Sequence, residues 1–359
     1  MLPDFANRHY HSTFTASSKP DRRPGRSLSR SPGEARYLPD QAQYGSGIVP
    51  RPAWSPILSS HLDPALHQAL SEAIGQATGR RADVERATMI GGGSISRTLR
   101  IDSDDRCWFV KLNDPALADM FAAEVDGLSA LAVCSALRVP GVVGHGVAGR
   151  HAWLLLDHLA LRGLREGRRG ADAGRALAEL HRIEGAQYGW HRDNYIGRTP
   201  QFNAPHASWP AFFARRRLLP QLDLARRLGH HGKLIAAGER LADKLPALFA
   251  DHRPPPSLLH GDLWSGNAAS DETGALVLFD PAVHFGDRES DLAMSELFGG
   301  FPDSFYAAYG ESWPLADGFE RRKILYQLYH VLNHLNLFGG GYLLQAERMI
   351  ARLLAEIGG

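Results

Sequence analysis

The stretch LLHGDLWSGN, residues 258–267, followed by LVLFD at residues 276–280, carries the most information about this chain. It places an Asp at position 262, an Asn at position 267 and a second Asp at position 280. A carboxylate can accept the proton of a hydroxyl group, and carboxylate and amide oxygens are suitable ligands for magnesium. The spacing therefore predicts a site that orients a hydroxyl nucleophile and holds a metal ion beside a nucleotide triphosphate.

The catalytic loop of protein kinases has the same Asp-to-Asn spacing, with a metal-binding Asp on a later element. This comparison predicts Asp262 as the catalytic base and Asn267 and Asp280 as magnesium ligands. The alternative is structural, because Asp and Asn side chains often cap turns. An apolar run precedes each half of the set, which favours the functional interpretation.

Two features upstream predict where the phosphates would bind. Lys111 follows the apolar residues 108–110, and Glu124 comes thirteen residues later in a predicted helix, so the pair could direct an ammonium group at phosphates. The second feature is a loop between two predicted strands, formed by Gly91, Gly92, Gly93 and Ser94. The alternatives are an edge-strand lysine and a simple hairpin turn. The sequence G-x-x-x-x-G-K-[ST] is absent, which argues against a P-loop fold.

Composition excludes several classes of protein. The 359 residues are 44% hydrophobic and carry a net charge of +1, so no overall field indicates nucleic acid or a membrane as a partner. The two cysteines give neither a disulfide framework nor a zinc site. We therefore expect a cytoplasmic protein without nucleic-acid or membrane partners. A monomer or weak homodimer is also expected.

The chain divides into three parts by composition. Residues 1–55 are rich in Ser, Pro, Arg and Gly without apolar periodicity, and we predict a disordered basic arm. Residues 56–157 combine short apolar strands with two helices, one of which begins at Asp63 and Pro64. Residues 158–359 are mainly helical. The predicted fold class is α+β, with a small antiparallel-sheet lobe followed by a larger helical lobe.

Several segments together resemble the fructosamine kinase (ketosamine-3-kinase) family, a relative of the aminoglycoside phosphotransferases within the protein-kinase-like fold. The resemblance covers the chain from about residue 60 to its end. It is carried by HGDLWSGN at 260–267, FDPAV at 279–283, GWHRDNYIG at 189–197, ELFGGF at 296–301 and NLFGGGY at 336–342. The Trp after HGDL distinguishes this family from ordinary aminoglycoside kinases.

The resemblance implies ATP-dependent phosphorylation of the O3 hydroxyl of a ketoamine such as fructosamine or ribulosamine, either a free small molecule or a glycated lysine on a protein. It implies that Lys111, held by Glu124, clamps the phosphates and that Asp157 to Leu159 form the hinge facing adenine. It also implies substrate contacts for a group of residues around the base: Trp264, Asp193, Asn194 and His260.

Some residues depart from the family pattern or allow other interpretations. The glycine-rich loop lacks the Cys of some eukaryotic members, and Asp287 stands where a His is expected. We expect His330 and His334 to be core or surface residues, Arg215 to Arg217 to form a solvated helix face, and Asp291 to brace the metal loop. A kinase for aminoglycosides or amino alcohols, and a non-catalytic nucleotide-binding scaffold, remain alternative functions.

Overall fold

The computed structural model describes the backbone of residues 57–58 and all of residues 62–91, 95–103, 106–164 and 168–358. The predicted N-terminal arm and Gly92, Gly93 and Ser94 of the predicted phosphate loop lie outside these residues.

A six-stranded antiparallel sheet forms the core of the N-terminal lobe. Its strands are β1 (Ile57–Leu58), β2 (Arg86–Ile90), β3 (Arg97–Ser103), β4 (Arg106–Asn113), β5 (Val142–Ala148) and β6 (His151–Asp157). Their spatial order is β1-β2-β3-β4-β6-β5, and every neighbouring pair is antiparallel. Lys111 lies within β4 rather than at its end, opposite Leu154 of β6.

One helix covers each face of this sheet. Helix α1 (Pro64–Thr78) begins where the Asp63 side chain accepts a hydrogen bond from the backbone N–H of Ala65 at 2.9 Å, as the Asp-Pro pair predicts. Helix α2 (Ala118–Leu131) lies on the opposite face. Successive side chains of a strand point to opposite faces, so Leu155 packs in the α1 cluster and Leu154 in the α2 cluster.

Helices dominate the C-terminal lobe. They are α3 (Arg169–His181), α4 (Trp209–Phe213), α5 (Leu219–Arg227), α6 (Lys233–Leu248), α7 (Glu289–Leu297), α8 (Asp303–Ser312), α9 (Phe319–Phe338) and α10 (Leu343–Glu356). Between them lie short strands: β7 (Asn194–Ile196), β8 (Thr199–Gln201), β9 (Ser257–Leu259), β10 (Ala268–Ser270), β11 (Leu276–Leu278) and β12 (His284–Gly286). They pair as β7–β8, β10–β11 and β9–β12. The predicted α+β, two-lobed fold is confirmed.

The expectation that Arg215 to Arg217 form a solvated helix face is wrong for Arg217. A π-helical turn joins α4 to α5, just before Pro220, whose missing N–H interrupts the regular ladder. Arg217 is 1% exposed and donates hydrogen bonds to Phe202 O and Asn203 Oδ1, both at 2.7 Å. The guanidinium is therefore part of the core of the lobe.

Within the described part of the chain, no helix has the length and apolar character needed to cross a bilayer.

Candidate active site

The loop after β9 is fixed by a glycine and by a buried acid. Gly261 has a φ of 82°, and a Cβ there would lie 2.1 Å from the carbonyl oxygen of Ala282, so only glycine fits. Asp291 of α7 accepts hydrogen bonds from the backbone N–H of His260 at 2.7 Å and of Gly261 at 2.9 Å. The predicted bracing role of Asp291 thus has a geometric basis in this loop.

Asp262 lies on this rigid loop with Asn267 beside it. The Asn267 amide nitrogen donates to the Asp262 backbone oxygen at 2.9 Å and to its Oδ2 at 3.0 Å. Because the amide nitrogen faces Asp262, the amide oxygen is the Asn267 atom that can coordinate a metal ion. Burial raises the pKa of Asp262 to about 7, and the nearby carboxylates of Asp280 and Asp291 act in the same direction. A carboxyl group with this pKa is suited to proton transfer near neutral pH.

Asp280 reaches the same cleft from the segment after β11. Its φ is 56°, and among the residues that the structure describes it is the only one other than glycine with a positive φ. Strained backbone of this kind is concentrated at functional sites. The backbone N–H of Phe279 donates to the Asn267 carbonyl at 3.1 Å, which ties the two predicted metal ligands together. A carboxylate and an amide oxygen form a donor set that fits magnesium.

Lys111 connects the two lobes at this point. Its ammonium group donates to Glu124 Oε1 at 2.5 Å and to Asp280 Oδ1. The Lys111 side chain is 8% exposed and that of Glu124 14%, whereas that of Asp280 is 48% exposed. Burial would lower the pKa of Lys111, but the Asp280 and Glu124 carboxylates raise it above its ordinary value. The lysine is therefore a fixed positive charge at the lobe boundary.

An aromatic cluster forms around Trp264, two residues after Asp262 in the chain. The Trp264 ring contacts Phe298 with centroids 6.1 Å apart, and Phe298 contacts His334 at 4.8 Å. His330, one helical turn before His334 on α9, lies buried with its Nδ1 4.0 Å from Asp262 Oδ1. No local pattern predicts this proximity, because the two residues are 68 positions apart in the chain.

Two residues predicted to contact substrate are enclosed by the protein. His260 is 0% exposed, donates from Nε2 to the Phe279 carbonyl at 2.9 Å, and accepts from the Asp262 N–H at 3.2 Å. Asn194 is 4% exposed and donates to the Val283 carbonyl at 2.8 Å. Burial therefore prevents direct substrate contact by either side chain. Both hold segments that adjoin the cleft.

The remaining residues that were predicted to contact substrate or nucleotide lie at three separate places in the fold. Asp193 is exposed, and its Oδ1 accepts the backbone N–H of Asn203 at 2.7 Å. Asp157 is the last residue of β6, and its backbone N–H donates to Gly141 O at 2.8 Å, while Leu159 follows in the chain that leaves the sheet. Gly91 directly follows β2 and begins the connection to β3.

Asp287, the departure from the family pattern, belongs to a sealed ionic cluster. It is 0% exposed and its Oδ2 accepts hydrogen bonds from Tyr326 at 2.5 Å and His252 at 2.7 Å. Neighbouring Glu289 pairs with Arg322 through two bonds of 2.7 and 2.8 Å. His252, Asp287 and Glu289 lie close enough together to hold a metal ion. However, the carboxylates of Asp287 and Glu289 already accept hydrogen bonds from Tyr326, His252 and Arg322.

These features together define a class of protein. A strand lysine paired with a helix glutamate, a glycine-containing loop that carries Asp262, and an aspartate that contacts the lysine match the active-site plan of a kinase-like phosphotransferase. The chain is similar to the crystal structure of a thermostable mutant of aminoglycoside phosphotransferase APH(4)-Ia in complex with ADP and hygromycin B. The TM-score is 0.52 and the identity 15%, over 80% of this chain and 98% of that one. At this identity the likeness concerns the fold alone.

Closer relatives identify the family. A model described as fructosamine kinase matches residues 66–356. A Synechocystis protein named "Probable ketoamine kinase" is 44% identical over 81% of this chain and 98% of its own length. The Arabidopsis thaliana "Protein-ribulosamine 3-kinase, chloroplastic" is 35% identical over 84% of this chain and 90% of its own length.

A crystal structure of a protein assigned as a fructosamine-3-kinase, from Haemophilus somnus 129PT, matches with a TM-score of 0.73 and 30% identity over 80% of this chain and 99% of that one. The chain belongs to the fructosamine kinase family, as its motifs predicted. It is therefore a kinase, a phosphotransferase with an alcohol group as acceptor.

Proposed function

We propose that this protein transfers the γ-phosphoryl group of ATP to the O3 hydroxyl of a ketoamine, with magnesium, and so serves to remove sugar adducts from amines. The acceptor would be a fructosamine or ribulosamine, free or carried on a protein lysine. The observation that carries the proposal is the Asp262 carboxylate, which Asn267 holds by a hydrogen bond and which interacts electrostatically with Asp280, the partner of Lys111. The names of the relatives support the ketoamine as acceptor.

Each side chain of the cleft has a role in this proposal. Asp262 accepts the proton of the acceptor hydroxyl and aims its oxygen at the phosphorus. Lys111, held by Glu124, orients the α- and β-phosphates, while residues 91–94 would approach them through backbone amides. Asn267 and Asp280 would hold magnesium, which neutralises charge that develops on the phosphates.

The aromatic cluster supports a sugar-like acceptor. The half-buried Trp264 ring is adjacent to Asp262 in the loop, and Phe298 supports it from the side. Gly266 allows this packing, because a Cβ there would lie 2.3 Å from the Trp264 ring. An aromatic face offers a large apolar surface to the C–H face of a sugar. The proposed acceptor therefore lies between the ring and the base.

The lobes divide the work between the two substrates in this proposal. The N-terminal lobe, residues 56–157, would bind the nucleotide, with Asp157 to Leu159 at the adenine. The C-terminal lobe, residues 158–359, would provide the base, the metal ligands and the acceptor pocket.

Product analysis tests the acceptor and the position of transfer. Purified protein would be incubated with MgATP and either fructose-lysine or ribulose-lysine, and the phosphate located by ³¹P–¹H correlation NMR. Coupling of phosphorus to the C3 proton is the expected result. Coupling to a proton at another carbon would contradict the O3 assignment, and a folded protein that phosphorylates neither compound would contradict the proposal that ketoamines are the acceptors.

A further inference from the structure

We propose that residues 190–198, which we name the interlobe strap, position helix α2 and thereby hold Glu124 against Lys111 for nucleotide binding. The strap belongs to the C-terminal lobe, whereas α2 and Lys111 belong to the N-terminal lobe. The inference rests on the proposed function, because it concerns the same nucleotide site. It assigns Trp190 and Arg192 as positioning residues.

The strap binds α2 through two aspartates, using both oxygens of each. Asp126 accepts from Trp190 Nε1 through Oδ2 at 2.6 Å and contacts His191 Nε2 through Oδ1 at 3.2 Å. Asp119 accepts from Arg192 Nη2 through Oδ1 at 2.7 Å and from the Tyr195 hydroxyl through Oδ2 at 3.1 Å.

The spacing of these aspartates explains how they act on Glu124. Asp119 and Asp126 are seven residues apart, so they share one face of α2. Glu124 lies between them in sequence on another side of the helix, where it meets Lys111 at 2.5 Å. Because a helix turns as a unit, fixing both aspartates sets the rotation and height of α2. The rotation and height of α2 in turn determine where the Glu124 carboxylate lies.

The base of the strap is tied to the segment that carries Asp280. Gly189 pairs with Phe285 of β12 through backbone bonds of 2.8 and 2.9 Å in both directions. Asn194 donates to the carbonyl of Val283 at 2.8 Å. The strap therefore links the residues that follow Asp280 to α2, and a shift of one would be transmitted to the other.

The tip of the strap contacts the exit of the glycine-rich loop. Arg198 Nη2 donates to the carbonyl of Ile95 at 2.9 Å, and Ile95 directly follows Ser94. A Cβ at Gly197 would lie 2.9 Å from the Ile95 side chain, so the approach is close. The strap thus contacts two elements around the predicted phosphate site.

The two anchors differ in strength. The Arg192–Asp119 pair has side chains 29% and 62% exposed, and ion pairs this exposed to water contribute little. Trp190 is half-buried and packs on Phe285 with ring centroids 5.3 Å apart, while the Asp126 side chain is 28% exposed. We therefore expect the Trp190–Asp126 bond to hold α2 more firmly.

Substitution Trp190→Phe tests the main anchor, because it removes the N–H donor and retains an aromatic ring. Affinity for Mg²⁺-AMP-PNP, measured by titration calorimetry without acceptor, should fall about threefold to tenfold. Amide exchange of α2 in the nucleotide-free protein should become faster. The matched control is Trp313→Phe, whose ring contacts Arg182 and Arg288 rather than α2. Wild-type affinity in Trp190→Phe would overturn the inference.

A double-mutant cycle shows whether the strap acts through Glu124. In a Glu124→Gln background, Trp190→Phe should weaken Mg²⁺-AMP-PNP binding less than twofold further, because the element it positions has already lost its function. Full additivity of the two effects would overturn the inference. If Trp190→Phe does not fold, the same cycle with Arg192→Gln and Tyr195→Phe combined tests the Asp119 anchor by the same outcomes.

This binding experiment is separate from the test of the acceptor. A protein that binds Mg²⁺-AMP-PNP with the predicted coupling and phosphorylates no ketoamine would contradict the proposed function and support the strap. A protein that phosphorylates a ketoamine, but in which the effects of Trp190→Phe and Glu124→Gln on binding are additive, would support the proposed function and contradict the inference about the strap.

Discussion

Two clusters of charged side chains in this protein contain similar groups in different surroundings. In the sealed cluster, Glu289 and Arg322 form a two-bond pair with side chains 1% and 4% exposed. In the interlobe clamp, formed by Lys111, Glu124 and Asp280, the Asp280 side chain is 48% exposed. The acids of the first cluster face protein donors, whereas Asp280 faces both Lys111 and solvent.

This difference separates structural charge from functional charge. A buried pair that lost one partner would leave an uncompensated charge in the core, so the sealed cluster fixes α7 to α9. The clamp keeps an oxygen-rich side open, where a metal ion and phosphates could be held. Charge density alone therefore does not distinguish the two clusters, whereas the exposure of the Asp280 carboxylate does.

The largest effect on stability is expected in the sealed cluster. Glu289→Ala removes the partner of buried Arg322 and should lower the free energy of unfolding by about 3–5 kcal/mol. The rate constant kcat per folded molecule should change little. Denaturant unfolding and active-site-normalised kinetics measure the two effects, with Glu311→Ala as an exposed glutamate control. A loss of kcat without a loss of stability would reverse the proposed contrast between the clusters.

In the clamp, the expected effect falls on activity instead. Asp280→Asn keeps the shape of the side chain but removes its charge, so we expect kcat to fall about 10²–10³-fold and the magnesium requirement to rise. Glu124 still pairs with Lys111, so the unfolding midpoint should remain near that of the wild type. An unchanged magnesium dependence would contradict the metal-ligand assignment.

A smaller effect is expected at the acceptor wall. Trp264→Phe reduces the aromatic face beside Asp262 while retaining a ring that can pack on Phe298. The KM for ketoamine should rise about threefold to tenfold, because roughly 1 kcal/mol of apolar contact is lost. The KM for ATP should not change. Initial rates with each substrate varied in turn measure both, and a rise confined to ATP would place the ring elsewhere.

The sequence predicted those parts of the fold and site that depend on local chemistry. Asp63 caps α1, and the short spacing from Asp262 to Asn267 brings their side chains within 3.0 Å. The Lys111–Glu124 contact also follows from neighbouring elements, a strand and the next helix. In each case the residues lie close enough in the chain for secondary structure to bring them together.

The remaining features depend on tertiary packing that no local pattern encodes. Lys111 and Asp280 are 169 residues apart, and His330 approaches Asp262 only because α9 packs behind the loop. The burial of Arg217 depends on a π-helical turn and on a hairpin that supplies its acceptors. Sequence spacing gave no information on these contacts, and for Arg217 it favoured the wrong environment.

The most direct test of the central claim is acceptor-stimulated ADP release by the wild type and by Asp262→Asn. The panel comprises fructose-lysine, ribulose-lysine, an aminoglycoside and no acceptor. We predict stimulation by a ketoamine and a 10²–10⁴-fold lower rate in the variant, which should still bind Mg²⁺-AMP-PNP. Near-wild-type rates in Asp262→Asn would contradict the assignment of the base, and stimulation by the aminoglycoside alone would contradict a ketoamine acceptor.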